Sequence, residues 1–194
     1  MAGIDINISR MAAIDRIIQV MQVRYAEELA AIKDDDLFLP PPVREAYYYY
    51  PEDPDRILVN RDPFVMVYAT QPRVLQAGSM ASAGPINRSE IRTFTLSVTL
   101  IFMAAPPKPI IRNGKQLTMG ETHYLRAERY TGAMAKTIQR YACDGESISQ
   151  IELINDTPDL FFQGEEKVKG IATTQWQIAQ KILMPNRAPL NIGA

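Results

Sequence analysis

The chain has 194 residues, and its 21 lysines and arginines nearly balance its 22 aspartates and glutamates, giving a formal net charge of −1. Dedicated nucleic-acid binders need a surplus of cations to displace counterions, so the composition argues against that class. Cys143 is the only cysteine, which excludes an intrachain disulfide, and no apolar run approaches the ~18 residues that a membrane span requires.

The first predicted element is an amphipathic helix over residues 10–33. Ser9 is a plausible N-cap, and Asp34–Asp36 would oppose the negative end of the helix dipole, so the helix should end near Lys33. Apolar residues recur at spacings of three and four, which predicts a buried stripe. The stripe consists of Met11, Ile14, Ile18, Met21, Tyr25, Leu29 and Ile32.

Residues 34–56 are rich in proline and have no regular period, which predicts an extended arm. The arm contains a run of four tyrosines: Tyr47, Tyr48, Tyr49 and Tyr50. Tyrosine offers a large contact area with a polar end, so the run is a candidate interface with a partner. In the alternative interpretation, two of the tyrosines cover the chain's own core and two are simply exposed.

Beyond the arm, β-branched and aromatic residues predict a strand over residues 64–70, with a short strand before it at 57–60. Residues 71–90 are small and polar and predict a long mobile loop, which is either a simple connection or a segment that an assembly partner orders. The stretch "RTFTLSVTLIFM", residues 92–103, alternates apolar and polar residues. It predicts a strand with one face on the core and the other against water or a partner.

A second helix is predicted to open at Thr118, which has capping-box spacing with Glu121, and to stop at Gly145. Two more strands are predicted in "SISQIELI" and "GIATTQWQIAQKILM". Together these elements predict one α+β domain over residues 1–184, with a C-terminal arm at 185–194. Its sheet should be mostly antiparallel and flanked by two helices on one face.

The sequence offers few candidates for chemistry. His123, the only histidine, has no second ligand at metal-binding spacing and is expected to be exposed in the first turn of its helix. Cys143 falls at the C-terminal end of that helix, where a thiolate is not stabilised. No glycine-rich phosphate loop is present. We therefore expect no catalytic site, cofactor or metal, and a protein that is not an enzyme.

Charge is divided unevenly along the chain. Residues 108–140 carry seven cations and two anions, whereas residues 144–170 carry seven anions and two cations. Copies could therefore associate head to tail, or the two stretches could neutralise each other within one subunit. With the four tyrosines, the candidate interface residues are Arg126, Arg129, Arg140, Glu165 and Glu166.

The order of these elements resembles that of the tail terminator (tail completion) proteins of tailed bacteriophages. The resemblance rests on the helix "RMAAIDRIIQVMQVRYAEELAAIK", the strands "PFVMVYAT" and "RTFTLSVTLIFM", the helix "ETHYLRAERYTGAMAKTIQRYA" and the two closing strands. It implies a structural virion protein, assembled in the host cytoplasm, that forms a hexameric ring.

The same resemblance implies the partners. Such a ring caps the tail tube protein and joins it to the head–tail connector, with a sheath contact if the tail is contractile. DNA would only pass through the lumen, and no membrane is involved. The long arm leaves open a connector or neck role in the same particle, and a small-molecule-binding α+β domain is the alternative from a different class.

Overall fold

Two long helices packed on a six-stranded sheet form the core of the protein. The computed structural model describes residues 6–32, 35–50, 53–80, 87–162 and 168–185, so the predicted C-terminal arm lies outside the described residues from 186 onward. The helices are α1 (Ile6–Ala31), α2 (Pro54–Asn60) and α3 (Met119–Tyr141). The strands are β1 (Tyr47–Tyr48), β2 (Phe64–Met80), β3 (Asn87–Phe102), β4 (Ile111–Arg112), β5 (Lys115–Gln116), β6 (Gln150–Asn155), β7 (Pro158–Phe162) and β8 (Val168–Pro185).

The sheet follows the order β1-β2-β3-β8-β6, and β7 also pairs with β8. β1 runs parallel to β2, whereas the other described pairings in this sheet are antiparallel. β4 and β5 form a separate small hairpin, whose turn places Asn113 and Gly114 at positive φ. The predicted α+β class with a mostly antiparallel sheet is confirmed.

The core lies between one face of the sheet and the helices α1 and α3. Five alternating apolar residues of β3 are buried there, together with Trp176 of β8 and Ala127, Tyr130, Met134 and Ile138 of α3. The residues from β3 are Phe94, Leu96, Val98, Leu100 and Phe102. The alternation in the strand and the three-to-four spacing in the helix therefore predicted the residues that pack together in the core.

The opposite face of the sheet is only partly covered. α2 packs Leu58 against Phe64 and Ile101 in a second, smaller core. Beyond it the face is polar, and the hydroxyls of Thr99 and Thr173 lie 3.3 Å apart. Neighbouring side chains bury Thr99 although it was expected to face water or a partner.

Helix α1 begins earlier than predicted. It starts at Ile6, so Ser9 lies inside the helix and is not its N-cap, and it ends at Ala31, close to the expected stop. The predicted stripe is buried at Ile14, Met21, Tyr25 and Leu29. Met11, at its N-terminal end, is exposed.

The short strand predicted at 57–60 is wrong, because these residues belong to helix α2. The side chain of Asp53 accepts a hydrogen bond from the backbone N–H of Arg56 at 3.1 Å, and Pro54 occupies the first turn. An aspartate N-cap followed by proline favours a helix start. That signal outweighs the β-branched residues that follow it.

The loop predicted over residues 71–90 is also wrong for the described part of that range. β2 continues to Met80 and β3 begins at Asn87, leaving only residues 81–86 outside the described residues. Register pairs such as Met80 with Ser89 and Asn87 with Pro185 hold this polar stretch in a three-stranded ladder. Strand formation here depends on neighbouring strands, which local composition does not reveal.

Helix α3 is capped as predicted. Thr118 and Glu121 form both hydrogen bonds of the capping box, and the helix ends at Tyr141, before Gly145 at positive φ. The strand β6 confirms the shorter of the two closing strands. The strand β7 was not predicted, because its five residues have no clear alternation.

Candidate interaction site

The four tyrosines divide into a covered pair and an exposed pair. Tyr47 is half-buried over the main core, where burial raises its pKa and its hydroxyl donates to the carbonyl of Met21 at 3.4 Å. Tyr48 faces the opposite side of the sheet and meets the ring of Phe64 edge-on at 5.9 Å. This division follows from side chains that alternate along the extended β1.

Tyr49 and Tyr50 are 49% and 71% exposed. The hydroxyl of Tyr49 donates to Asp15 Oδ1 at 2.5 Å, and this hydrogen bond raises the pKa of Tyr49. Tyr50 packs edge-on against Tyr68 with the ring centroids 5.3 Å apart. We call Tyr49 and Tyr50 the tyrosine pair; it is held in place on the chain and available to a partner.

The arm that carries these tyrosines is fixed against the helices. Tyr130 of α3 donates its hydroxyl to the carbonyl of Pro40 at 2.9 Å, and Gln22 of α1 donates to the carbonyl of Arg44 at 2.9 Å. The described part of the arm, residues 35–50, is therefore packed on its own subunit rather than standing away from it.

Arg126 differs most from its predicted role at a surface. Its side chain is fully buried, with the guanidinium carbon 4.5 Å from the Phe102 ring centroid and 5.8 Å from that of Phe38. Nη1 donates to the carbonyl of Ala104 at 2.5 Å, and the guanidinium also interacts with Tyr130 and Asp62. Burial lowers the pKa of Arg126. Arg126 therefore lies inside the subunit and is not presented at its surface.

Asp62 and His123 complete the surroundings of Arg126. The carboxylate of Asp62 accepts hydrogen bonds from the backbone N–H groups of Met103 and Ala104, and burial raises its pKa. The prediction that His123 is exposed is wrong. Its ring is buried against Phe102, its Nε2 lies 3.4 Å from the Met103 carbonyl, and burial lowers its pKa to about 4. This buried polar cluster fixes the end of β3.

Three of the seven cations of the stretch 108–140 pair with carboxylates of the same subunit. Glu28 of α1 is buried and lies 2.7 Å from Arg140 and 2.8 Å from Lys136, and these partners lower its pKa. Lys115 pairs with Glu121 at 3.0 Å. Arg140 is thus partly exposed but already paired. Among the remaining predicted interface residues, Arg129 is exposed, and Glu165 and Glu166 lie outside the described residues.

A groove near the C-terminal end of α1 was not foreseen in the sequence. It has a volume of about 390 Å³, and its apolar lining consists of Phe38, Pro106, Pro107, Pro109 and Ile111. We call it the proline groove. Asp36 and Lys108 are exposed on its rim. Phe38 has a φ of 47°, which is unusual for a residue with a bulky side chain, and is 41% exposed.

The described residues do not form a metal-binding cluster. No group of three or more His, Cys, Asp or Glu residues is placed to hold a metal ion there. Cys143 is exposed, and partial burial with the nearby Asp144 raises its pKa. The helices within the described ranges include none that is long and apolar enough to cross a bilayer. No known protein family matches the chain, and no curated protein is significantly similar to it in sequence.

Proposed function

We propose that this protein is a structural virion protein of the tail terminator type, which forms a ring, caps the tail tube and joins it to the head-side connector. The observation that carries the proposal is the architecture. A long N-terminal helix, two antiparallel strands, a capped helix and closing strands follow in the order on which the resemblance rests. Both long helices cover the same face of the sheet.

The tyrosine pair supports the self-assembly that the proposal requires. Aromatic side chains are enriched in interfaces, and a pair already fixed by Asp15 and Tyr68 loses little conformational freedom when a partner covers it. The role as a head–tail connector remains the second candidate. The length of the packed arm, residues 35–50, favours it, because the simplest terminator pattern does not need that segment.

Negative-stain electron microscopy with mass measurement over a concentration series tests the proposal. Closed rings with a central opening, of six subunits by mass, are the expected result. Monomers at every concentration would contradict self-assembly. Purified tail tubes and purified connectors then separate the two roles, because a terminator should bind the tube end and stop its extension, whereas a neck protein should bind only the connector.

A further inference from the structure

Phe38 lies at the junction of two apolar grooves. One is the proline groove. The other, which we call the helix groove, has a volume of about 330 Å³, and its lining includes Leu29 and Ala30 of α1 and Leu39 of the arm. Among the described residues, Phe38 is the one member that the two linings share. Its side chain therefore stands between the two grooves.

Phe38 also covers a buried cation. The guanidinium carbon of Arg126 lies 5.8 Å from the centroid of the Phe38 ring. Arg126 is fully buried, whereas Phe38 is 41% exposed, so the ring lies between the guanidinium and the solvent. Movement of the ring out of this position would open the guanidinium to the junction of the two grooves.

The guanidinium of Arg126 is not paired with a carboxylate of the described residues. Their ion pairs do not include it, and its hydrogen-bonding neighbours are the carbonyl of Ala104 and the hydroxyl of Tyr130. Asp62 attracts it at longer range, and the Asp62 carboxylate accepts its own hydrogen bonds from backbone N–H groups. A guanidinium has five N–H donors, which two uncharged acceptors do not exhaust. Since buried charges are normally paired, Arg126 is suited to bind an anion.

The backbone of Phe38 adopts a conformation that bulky residues rarely take. Its φ of 47° lies in the left-handed region, where Cβ comes too close to the following carbonyl oxygen. Residues held in such regions are strained, and they cluster at ligand clamps and switch segments. Displacement of Phe38 would release this strain, which lowers the cost of uncovering Arg126.

We propose that Phe38 is a displaceable cover over a binding site for a small fatty carboxylate. When the ring moves out, the helix groove and the proline groove become continuous, with Arg126 at their junction. The alkyl chain lies along the groove walls, and the carboxylate forms a two-pronged ion pair with the guanidinium. Grooves of about 330 and 390 Å³ are of the size that holds a small organic ligand. This site does not depend on the proposed ring.

The surroundings of Arg126 favour a singly charged ligand with an apolar chain. Prolines and Ile111 line one groove and aliphatic residues of α1 line the other, so an alkyl chain would bury apolar surface along either of them. The charge of Asp62 acts on Arg126, and Asp36 is exposed on the rim of the proline groove. Both would repel a doubly charged phosphate more strongly than a carboxylate.

Isothermal titration calorimetry of the full chain with octanoate and octanamide near neutral pH tests the inference. The two probes share their chain length and shape, but only octanoate carries a charge. Octanoate should bind at least tenfold more tightly than octanamide. Equal affinities for the two probes, or no binding of either, would overturn the inference.

Phe38→Gly tests the role of the ring as a cover. Glycine removes the ring and tolerates a φ of 47°, so the backbone keeps its path and the affinity for octanoate should rise at least fivefold. Tyr124→Ala is the matched control, because Tyr124 is 46% exposed but lines neither groove, and it should leave the affinity unchanged. An unchanged affinity in a Phe38→Gly variant that melts like the wild type would overturn the inference. The comparison of the two probes on the wild type stands whether or not this variant folds.

Two further titrations identify the cation and the occupant. Lys108 is exposed on the rim of the proline groove, so Lys108→Gln should fold normally and should keep the preference for octanoate over octanamide. Loss of that preference would overturn the assignment of Arg126 as the cation. An acetylated apolar tetrapeptide with a free C-terminal carboxylate should bind more weakly than octanoate, because its backbone polar groups would lose water in apolar grooves. Tighter binding of the peptide would overturn the choice of a fatty carboxylate.

Discussion

A side chain at Gly170 of β8 is predicted to destabilise the protein. A Cβ atom there would lie 2.1 Å from Cζ of Phe102 and 2.5 and 2.6 Å from its two Cε atoms. Carbon atoms in contact are normally about 3.5–4.0 Å apart, so the ring would have to move by about 1.5 Å. The other sides of the ring are occupied by Arg126 at 4.5 Å, Tyr130 at 5.0 Å and His123 at 5.2 Å. The ring therefore has no free direction in which to relax.

The expected cost of Gly170→Ala follows from this crowding. Overpacking a tight core costs about 1–3 kcal/mol, and alanine recovers about 0.5–1 kcal/mol because it restricts the unfolded chain. We therefore expect a net loss of about 1–2 kcal/mol, which for a chain of this size corresponds to a Tm lower by roughly 2–8 °C. Urea denaturation followed by the fluorescence of Trp176, the only tryptophan and a buried one, measures it.

A control and a double mutant make this prediction specific. Gly132 of α3 is exposed, and a Cβ atom there would meet nothing within 4 Å, so Gly132→Ala should stabilise the protein by about 0.5–1 kcal/mol. Phe102→Leu removes part of the obstructing ring, so Gly170→Ala should cost much less in that background. Equal effects of Gly170→Ala in the two backgrounds, or stabilisation in the wild type, would refute the reasoning.

Three further predictions concern other parts of the helices. The unfolded pKa of His123 is about 6.5 and the folded pKa about 4, so the unfolded state takes up the proton first. The free energy of unfolding should therefore fall by about 1–2 kcal/mol as the pH is lowered from 6.5 toward 4. Urea titrations of the wild type and of His123→Gln, run in parallel at each pH, measure this loss, which the variant should not show. Glu28→Gln should destabilise more than Arg140→Gln in thermal melts, because it leaves two cations unpaired whereas Lys136 still pairs with Glu28 in the other variant. Thr118→Ala should cost about 1 kcal/mol by loss of the α3 cap, with Thr118→Ser close to wild type.

Elements with a clear period were predicted well because one side of each is buried along its whole length. β3 alternates between the core and the polar face, and α3 turns one stripe inward, so local sequence and tertiary burial agree. The distal part of the β2–β3 hairpin has no such period. Its hydrogen-bonded ladder is stabilised by β8, which comes from a distant part of the chain, as in the pairing of Asn87 with Pro185. Because local composition carries no sign of this pairing, it predicted a loop.

The burial of His123 could have been predicted from spacing. It lies four residues before Ala127 and seven before Tyr130, which places it on the same stripe of α3 as these two buried residues. Its polarity and position in the first turn suggested exposure instead. Arg126 lies on the same stripe, four residues before Tyr130, but arginine is rarely fully buried, so its type predicted exposure. Its burial depends on the ring of Phe102 and the carbonyl of Ala104, which come from β3 and the segment after it.

The salt dependence of assembly distinguishes an aromatic subunit contact from one made by charge. Of the seven cations in residues 108–140, Arg126 is buried, whereas Lys115, Lys136 and Arg140 pair within the chain but remain partly exposed. Screening shortens electrostatic reach from about 10 Å at 0.1 M salt to about 3 Å at 1 M. A contact made by the tyrosine pair buries apolar area and should lose only a few-fold in affinity over that range, measured by mass or sedimentation. A loss of a hundredfold or more would show that charge dominates the association, and the exposed anions of β6 and β7 would then be the surface to mutate first.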